Sequence, residues 1–244
     1  MIKRLLIANR GEISLRIQKT CKRMSIETVA VYSDADKNAR HVKNADKSIS
    51  IGGADSKDSY LNIKSIIKAA IIAKADAVHP GYGFLSENAD FAKEVLNKNL
   101  IFIGPNPSSI KSMALKSKAK TMMGELGVPI VPGFSVEKKS KAEILKNSEK
   151  IGFPIIIKAS AGGGGRGMKI VRSGKDLFIS IATAKREAKS SFGNEKIIIE
   201  KYLENARHVE VQIIGDMEGN FAVLGDRDCS IQRRHQKVIE EAPA

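Results

Sequence analysis

The sequence predicts an α/β protein in two parts. The first is a Rossmann-like half with a parallel sheet, and the second is an α+β half built on antiparallel hairpins. Two observations carry this. Up to about residue 110, short β-prone runs alternate with stretches whose apolar residues recur at helical spacing. Beyond it, strand candidates follow one another across short turns, in the pattern of hairpins. With 244 residues and 42% hydrophobic content, one large or two ordinary domains can each bury a core.

In order, "RLLIA" reads as a buried strand. "GEISLRIQKTCKRM" reads as a helix with Ile13, Ile17, Cys21 and Met24 on one face, and "ETVAVYS" as the next strand. "YLNIKSIIKAAIIAKA" is a helix with Ile63, Ile66 and Ala70 inward. "DAVHP" is a strand, "ENADFAKEVLNKN" a helix and "LIFIGP" a strand. Repeated βα units imply parallel pairing with right-handed crossovers. One helix is expected over "SSIKSMALKSKAKTMMGEL", then a short strand in "GVPIVPGF", punctuated by Pro129 and Pro132. "KAEILKNSEKIG" is helical. "FPIIIKAS" and "GMKIVRS" are strands around a glycine loop, and "GKDLFISIATAKREAKSSFG" is a long helix. "KIIIEKYLE", "RHVEVQIIGD" and "GNFAVLGDRDCS" are the remaining strands.

Composition narrows the function. A net charge of +14 favours anionic partners: nucleic acid, a membrane surface or phosphorylated small molecules. Aromatic residues are only 5% and Trp is absent, which argues against base-stacking platforms and a nucleic-acid partner. The apolar run in "MIKRLLIANRGE" is too short for a signal sequence, and no stretch reaches membrane-spanning length. A soluble, cytoplasmic protein with no membrane partner is expected. Cys21 and Cys229 match no metal spacing and read as free thiols.

The most pointed stretch is "KASAGGGGRGMKI", Lys158 to Ile170. Gly162, Gly164 and Gly167 satisfy G-x-G-x-x-G, but the dinucleotide motif needs a helix next and "MKIVRS" is β-prone. No Gly-Lys-Ser/Thr closes a Walker loop either. A glycine-rich hairpin lying over nucleotide phosphates survives, because glycine amides approach phosphate oxygens with no Cβ in the way. Lys158 can set its ammonium on the same phosphates; the bland alternative is a flexible surface turn. In "IIIEKYLEN", Ile198, Glu200 and Tyr202 share one face, with Ile199, Lys201 and Leu203 on the other. Either this is an edge strand offering backbone groups to an adenine ring, or an ordinary buried strand. His208, Glu210 and Gln212 share a face that looks into solvent or a wet cleft. "QRRHQK", Gln232 to Lys237, is a solvated charged face, a nucleic-acid patch or an oxyanion site with His235 and Lys237 aimed one way.

Taken together, "IANRGEI", "HPGYGFLSEN", "KASAGGGGRGM", "EKYLEN", "RHVEVQ" and "RDCSIQRRHQKVIEEAPA" resemble the biotin carboxylase family, in order, from Ile7 to Ala244. The resemblance implies a Rossmann-like pre-ATP-grasp domain over 1–113 that binds no dinucleotide. An incomplete ATP-grasp domain would follow over 114–244, with a lid at about 131–203. It implies ATP and Mg2+ as cofactors, activation of bicarbonate as carboxyphosphate, and carboxylation of biotin borne on a biotin carboxyl carrier protein or domain. A carboxyltransferase subunit would be a partner and the full-length protein a homodimer.

Residue by residue, Lys116 and Lys158 resemble phosphate-binding lysines, and Gly164 and Gly165 the loop glycines over the phosphates. Glu200, Lys201, Tyr202 and Leu203 resemble the adenine hinge, acting largely through backbone. His208, Gln232 and His235 resemble further nucleotide contacts, Gln236 and Lys237 the groups around bicarbonate, and Tyr82 a residue near the biotin ring. No metal ligand is assigned within the chain. The resemblance places the acidic magnesium ligands, a catalytic glutamate and further arginines downstream of "EEAPA". The 244 residues alone are therefore expected to be inactive and to expose apolar surface and an unpaired sheet edge. Acetyl-, propionyl- and methylcrotonyl-CoA carboxylases, or pyruvate carboxylase, remain open as the parent enzyme. So do a non-catalytic nucleotide-binding fragment and another ATP-grasp ligase.

Overall fold

The computed structural model describes residues 1–114, 116–160, 168–233 and 236–244. The chain divides into two compact units, Met1–Ala114 and Leu115–Ala244.

The first unit runs β1 (Arg4–Ile7), α1 (Gly11–Arg23), β2 (Glu27–Ser33), α2 (Arg40–Lys43), β3 (Lys47–Gly52), α3 (Ile63–Ile72), β4 (Ala77–His79), α4 (Ala89–Asn97), β5 (Ile101–Phe102) and α5 (Pro107–Met113). Its five strands lie in the order β3-β2-β1-β4-β5, all parallel. Strand β1 sits in the centre because both of its faces are apolar, as a parallel sheet covered on both sides requires. Leu6 packs with Val29, Val31, Ile66, Val78 and Phe91 on one side, and Leu5 and Ile7 pack with Ile17, Cys21 and Ala77 on the other. Helices α3 and α4 start on side-chain caps legible in sequence. Asn62 accepts from the Ser65 amide at 3.1 Å, and Asn88 from the Phe91 amide at 2.8 Å.

The second unit runs α6 (Lys116–Glu125), β6 (Gly133–Ser135), α7 (Lys141–Ile151), β7 (Ile155–Ala159), β8 (Lys169–Val171), α8 (Leu177–Phe192), β9 (Ile197–Lys201), β10 (Val209–Gly215), β11 (Phe221–Asp228), β12 (Gln232–Arg233) and β13 (Gln236–Lys237). One antiparallel sheet has the order β6-β9-β7-β8; β10 pairs with β11 and β12 with β13. Ile155, Ile157, Ile197 and Ile199 pack on one face of the larger sheet with Ile144 of α7 and with Leu177, Ile181, Ala184 and Ala188 of α8. A capping box, Ser140 with Glu143, starts α7.

Several sequence expectations need correction. The single helix over residues 108–126 is two, α5 and α6, because Ile110 belongs to the first unit's core while α6 belongs to the second unit. The strand in "GVPIVPGF" begins only at Gly133, after both prolines, which lack the amide a ladder needs. Met24 is exposed, since α1 ends at Arg23 and Ser25 turns the chain at φ 55°. Strand β3 was missed: it is a sheet edge whose "KSISIG" buries little, so its apolar signal is weak. Strand β9 is no edge strand; it is hydrogen-bonded on both sides. In the hairpin β10–β11, Val211, Ile213, Phe221 and Val223 are exposed.

Phe91 is fully buried and meets Phe102 edge-on, ring centroids 6.0 Å apart. Phe91→Ala is expected to cost about 3–5 kcal/mol in a denaturant melt, and Asn88→Ala, which removes only the cap, about 1 kcal/mol.

Candidate functional site

In the antiparallel sheet, alternation along β7 and β9 turns Ile157 and Ile199 to the helices and Lys158 and Glu200 to the opposite face. Lys158 pairs in register with Ile198, so Glu200 is its diagonal neighbour, within reach of a long side chain. Glu200 Oε2 accepts from Lys158 Nζ at 2.9 Å, and Oε1 from Lys120 Nζ of α6 at 2.7 Å. Burial pushes the Glu200 carboxyl up, but the hydrogen bonds from Lys120 and Lys158 outweigh it and hold it below the usual carboxylate range. Lys201 turns the other way, and its ammonium donates to the carbonyls of Gly152 and Phe153 at 3.0 and 3.1 Å. The Lys201 and Tyr202 amides donate to Pro132 and Pro154 carbonyls. Leu203 is exposed.

A second cluster lies on β10–β13. Glu210 is opposite Arg227 in register. Arg227 Nε donates to Glu210 Oε1 at 2.8 Å and its guanidinium reaches Gln212 Oε1 at 3.0 Å. Lys237 donates to Glu210 Oε2, and Glu240 stands 3.8 Å from the same ammonium. Hydrogen bonds from Lys237 and then Arg227 bring the Glu210 carboxyl down to about 2. The bond to Glu210 likewise raises Lys237 above the usual lysine value, so it is a fixed cation and not a base. Across β12–β13, Lys237 is opposite Gln232 and Gln236 opposite Arg233. Gln232 Nε2 lies 2.8 Å from both His208 Nδ1 and the Cys229 carbonyl.

The sequence-predicted residues thus fall into groups: Lys158 with Glu200, His208 with Gln232, and Lys237 beside Gln236 and Gln232. Tyr82 belongs to the first unit, where it hydrogen-bonds Glu12. Asn9 holds its loop by donating to the Pro80 and Tyr82 carbonyls at 2.8 Å each. Gly81 has φ +65° and a Cβ there would sit 2.7 Å from Asn9 Nδ2, so only glycine allows this close approach. Gly164, Gly165, His235 and the Lys116 side chain lie outside the described residues.

The sequence reading passed over Lys120, Arg227 and Glu210 as site residues. Lys120 was within reach, one helical turn after Lys116 on the same face. Arg227 and Glu210 were not, because their meeting depends on strand register. Glu210, Cys229 and Glu240 bring ligand atoms within 4.8 Å of one another. Arg227 and Lys237 already neutralise the carboxylates there, and a thiol suits a hard cation poorly, so this group does not fit magnesium. Among the described residues, no helix is long and apolar enough to cross a membrane.

Two families match in succession: "Biotin carboxylase, N-terminal domain" over residues 1–110, and "Carbamoyl-phosphate synthase L chain, ATP binding domain" over 116–244. The chain belongs to the biotin carboxylase family. It is 55% identical over 247 aligned residues to the biotin carboxylase of Haemophilus influenzae, matching 100% of this chain and 55% of that protein. Among family structures, a Campylobacter jejuni biotin carboxylase–β,γ-ATP complex superimposes with a TM-score of 0.95 at 51% identity, over 100% of this chain and 55% of that one. The biotin carboxylase domain dimer of Hydrogenobacter thermophilus 2-oxoglutarate carboxylase, with MgADP, ADP and bicarbonate, gives 0.93 at 44% identity, over 100% and 54%. The chain spans between about a third and about half of the length of the curated relatives it matches.

Because its folded carboxyl sits near 2, Glu210 contributes stability that is complete above about pH 4.5 and is lost as pH falls through about 2. The stability difference between the protein and Glu210→Gln should shrink over that window, and Lys237→Met should move the window upward. Acid titrations followed by circular dichroism measure both.

Proposed function

We propose that the chain is the nucleotide- and bicarbonate-handling part of a biotin carboxylase, which uses ATP to carboxylate biotin borne on a carrier protein. The observation that supports it most directly is Lys158. It lies on the strand that leads into the glycine-rich sequence, and it pairs with a carboxylate already shared with a second lysine. Two cations on one anion leave a net positive charge, the fit a polyphosphate requires. ATP supplies the phosphoryl group that activates bicarbonate. Lys158 binds and orients phosphate oxygens, where catalysis is mostly positioning and charge stabilisation. Gly164 and Gly165 would add backbone amides and, with the lid proposed for about 131–203, exclude water.

Lys237, kept protonated by Glu210, is suited to hold the bicarbonate anion in place, with Gln236 beside it. His208 and Gln232 orient each other and serve the nucleotide, together with Lys116, His235 and the backbone from Glu200 to Leu203. Tyr82 serves the biotin ring. Magnesium is assigned no ligand and no step here. Partners follow from the chemistry: a biotin carrier and a carboxyltransferase that selects the final acyl acceptor. A homodimeric complete protein and a cytoplasmic location go with this reading.

The complete protein should cleave ATP in a bicarbonate-dependent manner that free biotin stimulates. ATP cleavage without bicarbonate dependence overturns the reading, and dependence on ammonia in place of biotin points to another ATP-grasp ligase. Lys158→Ala should raise KM for ATP by about ten-fold or more at unchanged melting temperature.

A further inference from the structure

Lys120 was assigned nothing by its sequence, yet it is the second cation on Glu200. Three features bring it there. Strand β9 points Glu200 away from the α7–α8 core. On β6 the residue opposite Glu200 is Gly133. A Cβ at Gly133 would lie 2.5 Å from the Ile199 carbonyl oxygen and 2.8 Å from Glu200 Cγ, so any larger residue would displace the carboxylate. With that flank open, α6 delivers Lys120 to one carboxylate oxygen while Lys158 takes the other. The arrangement is well shielded: the side chains of Lys120, Lys158 and Glu200 are 21%, 29% and 12% exposed. A cleft of 190 Å³ opens beside it, lined among others by Lys120, Ile130, Gly133, Phe134 and Glu200.

We propose that Lys120 is a positioning residue for nucleotide binding: it holds the Glu200 carboxylate so that Lys158 is aimed but not captured. This rests on the reading of Lys158 as a phosphate-binding lysine. With Lys158 as its only partner, Glu200 would form a closed, partly buried ion pair. An arriving polyphosphate would then have to break that pair and leave a carboxylate uncompensated, which is strongly unfavourable. With Lys120 in place, Glu200 keeps one full partner when Lys158 swings to a phosphate. The array also carries a net charge of one cation beforehand, which attracts the anion. Lys120 need not touch the nucleotide; it acts through Glu200.

The test is binding of a fluorescent ATP analogue (mant-ATP) to the complete protein, with melting temperatures measured alongside. Lys120→Met should weaken binding by about thirty-fold or more, a typical cost for uncompensating a shielded charge. Lys120→Arg, which keeps the cation, should bind nearly as the parent does. The double variant Lys120→Met/Glu200→Gln removes both the cation and the carboxylate it neutralises, and should recover most of the lost affinity. A merely structural lysine would move melting temperature and affinity together, so affinity lost and recovered at unchanged melting temperature marks the positioning role. Unchanged affinity in Lys120→Met, or no recovery in the double variant, overturns the inference while leaving the function intact. A parent protein that binds no nucleotide overturns the function reading, and this inference with it.

Discussion

Strand β9 lies between β6 and β7, and one of its faces is committed to α7 and α8. That commitment governs the second unit. Once Ile197 and Ile199 must meet the helices, period-2 alternation leaves Glu200 no choice but the open face. Register with β7 then puts Lys158 diagonal to it, and the glycine opposite on β6 leaves space for α6. A one-residue slip of β9 would bury Glu200 among isoleucines and expose the core positions. The hydrophobic packing of one face is therefore what sets the ionic arrangement on the other.

The second unit uses one electrostatic device twice. Glu200 takes a lysine on each oxygen, and Glu210 takes an arginine on one oxygen and a lysine on the other. In each case a single carboxylate fixes two long cationic side chains; around Glu200 this leaves excess positive charge, whereas around Glu210 the nearby Glu240 balances it. Long side chains lose rotamer freedom when held, so ordering them before an anion arrives removes that cost from the binding step. For Glu200 this explains how a lysine can be restrained yet available. For Glu210 it explains why Lys237 is a permanent cation: the carboxylate, held near 2, stays ionised throughout the physiological range.

The first unit contributes rigidity of a different kind. Asp36 accepts from Tyr60 at 2.7 Å and from Arg10 Nε at 2.6 Å, and Tyr60 stacks on Phe84, ring centroids 5.1 Å apart. Asn9, at the end of the central strand, holds the loop that carries Tyr82. Segments far apart in sequence are joined at the carboxyl end of the parallel strands, where open α/β sheets offer their binding crevices.

The amino-acid sequence by itself determined the elements whose signals are local. Strands β1, β2, β4 and β5, helices α1, α3 and α4, and the β7–β8 pairing around a glycine-rich stretch all follow from periodicity. Ordered motifs over nearly the whole chain also marked the family. Tertiary structure alone decided what depends on register and on which core an element serves. It divided the helix over residues 108–126 between two units, placed "KSISIG" on a sheet edge, and put β9 inside its sheet. It also brought Lys120 across eighty residues to Glu200, and Arg227 opposite Glu210. The physical reason is range: propensity and alternation act over a few residues, whereas a charge finds its partner only after packing has chosen which strands lie side by side.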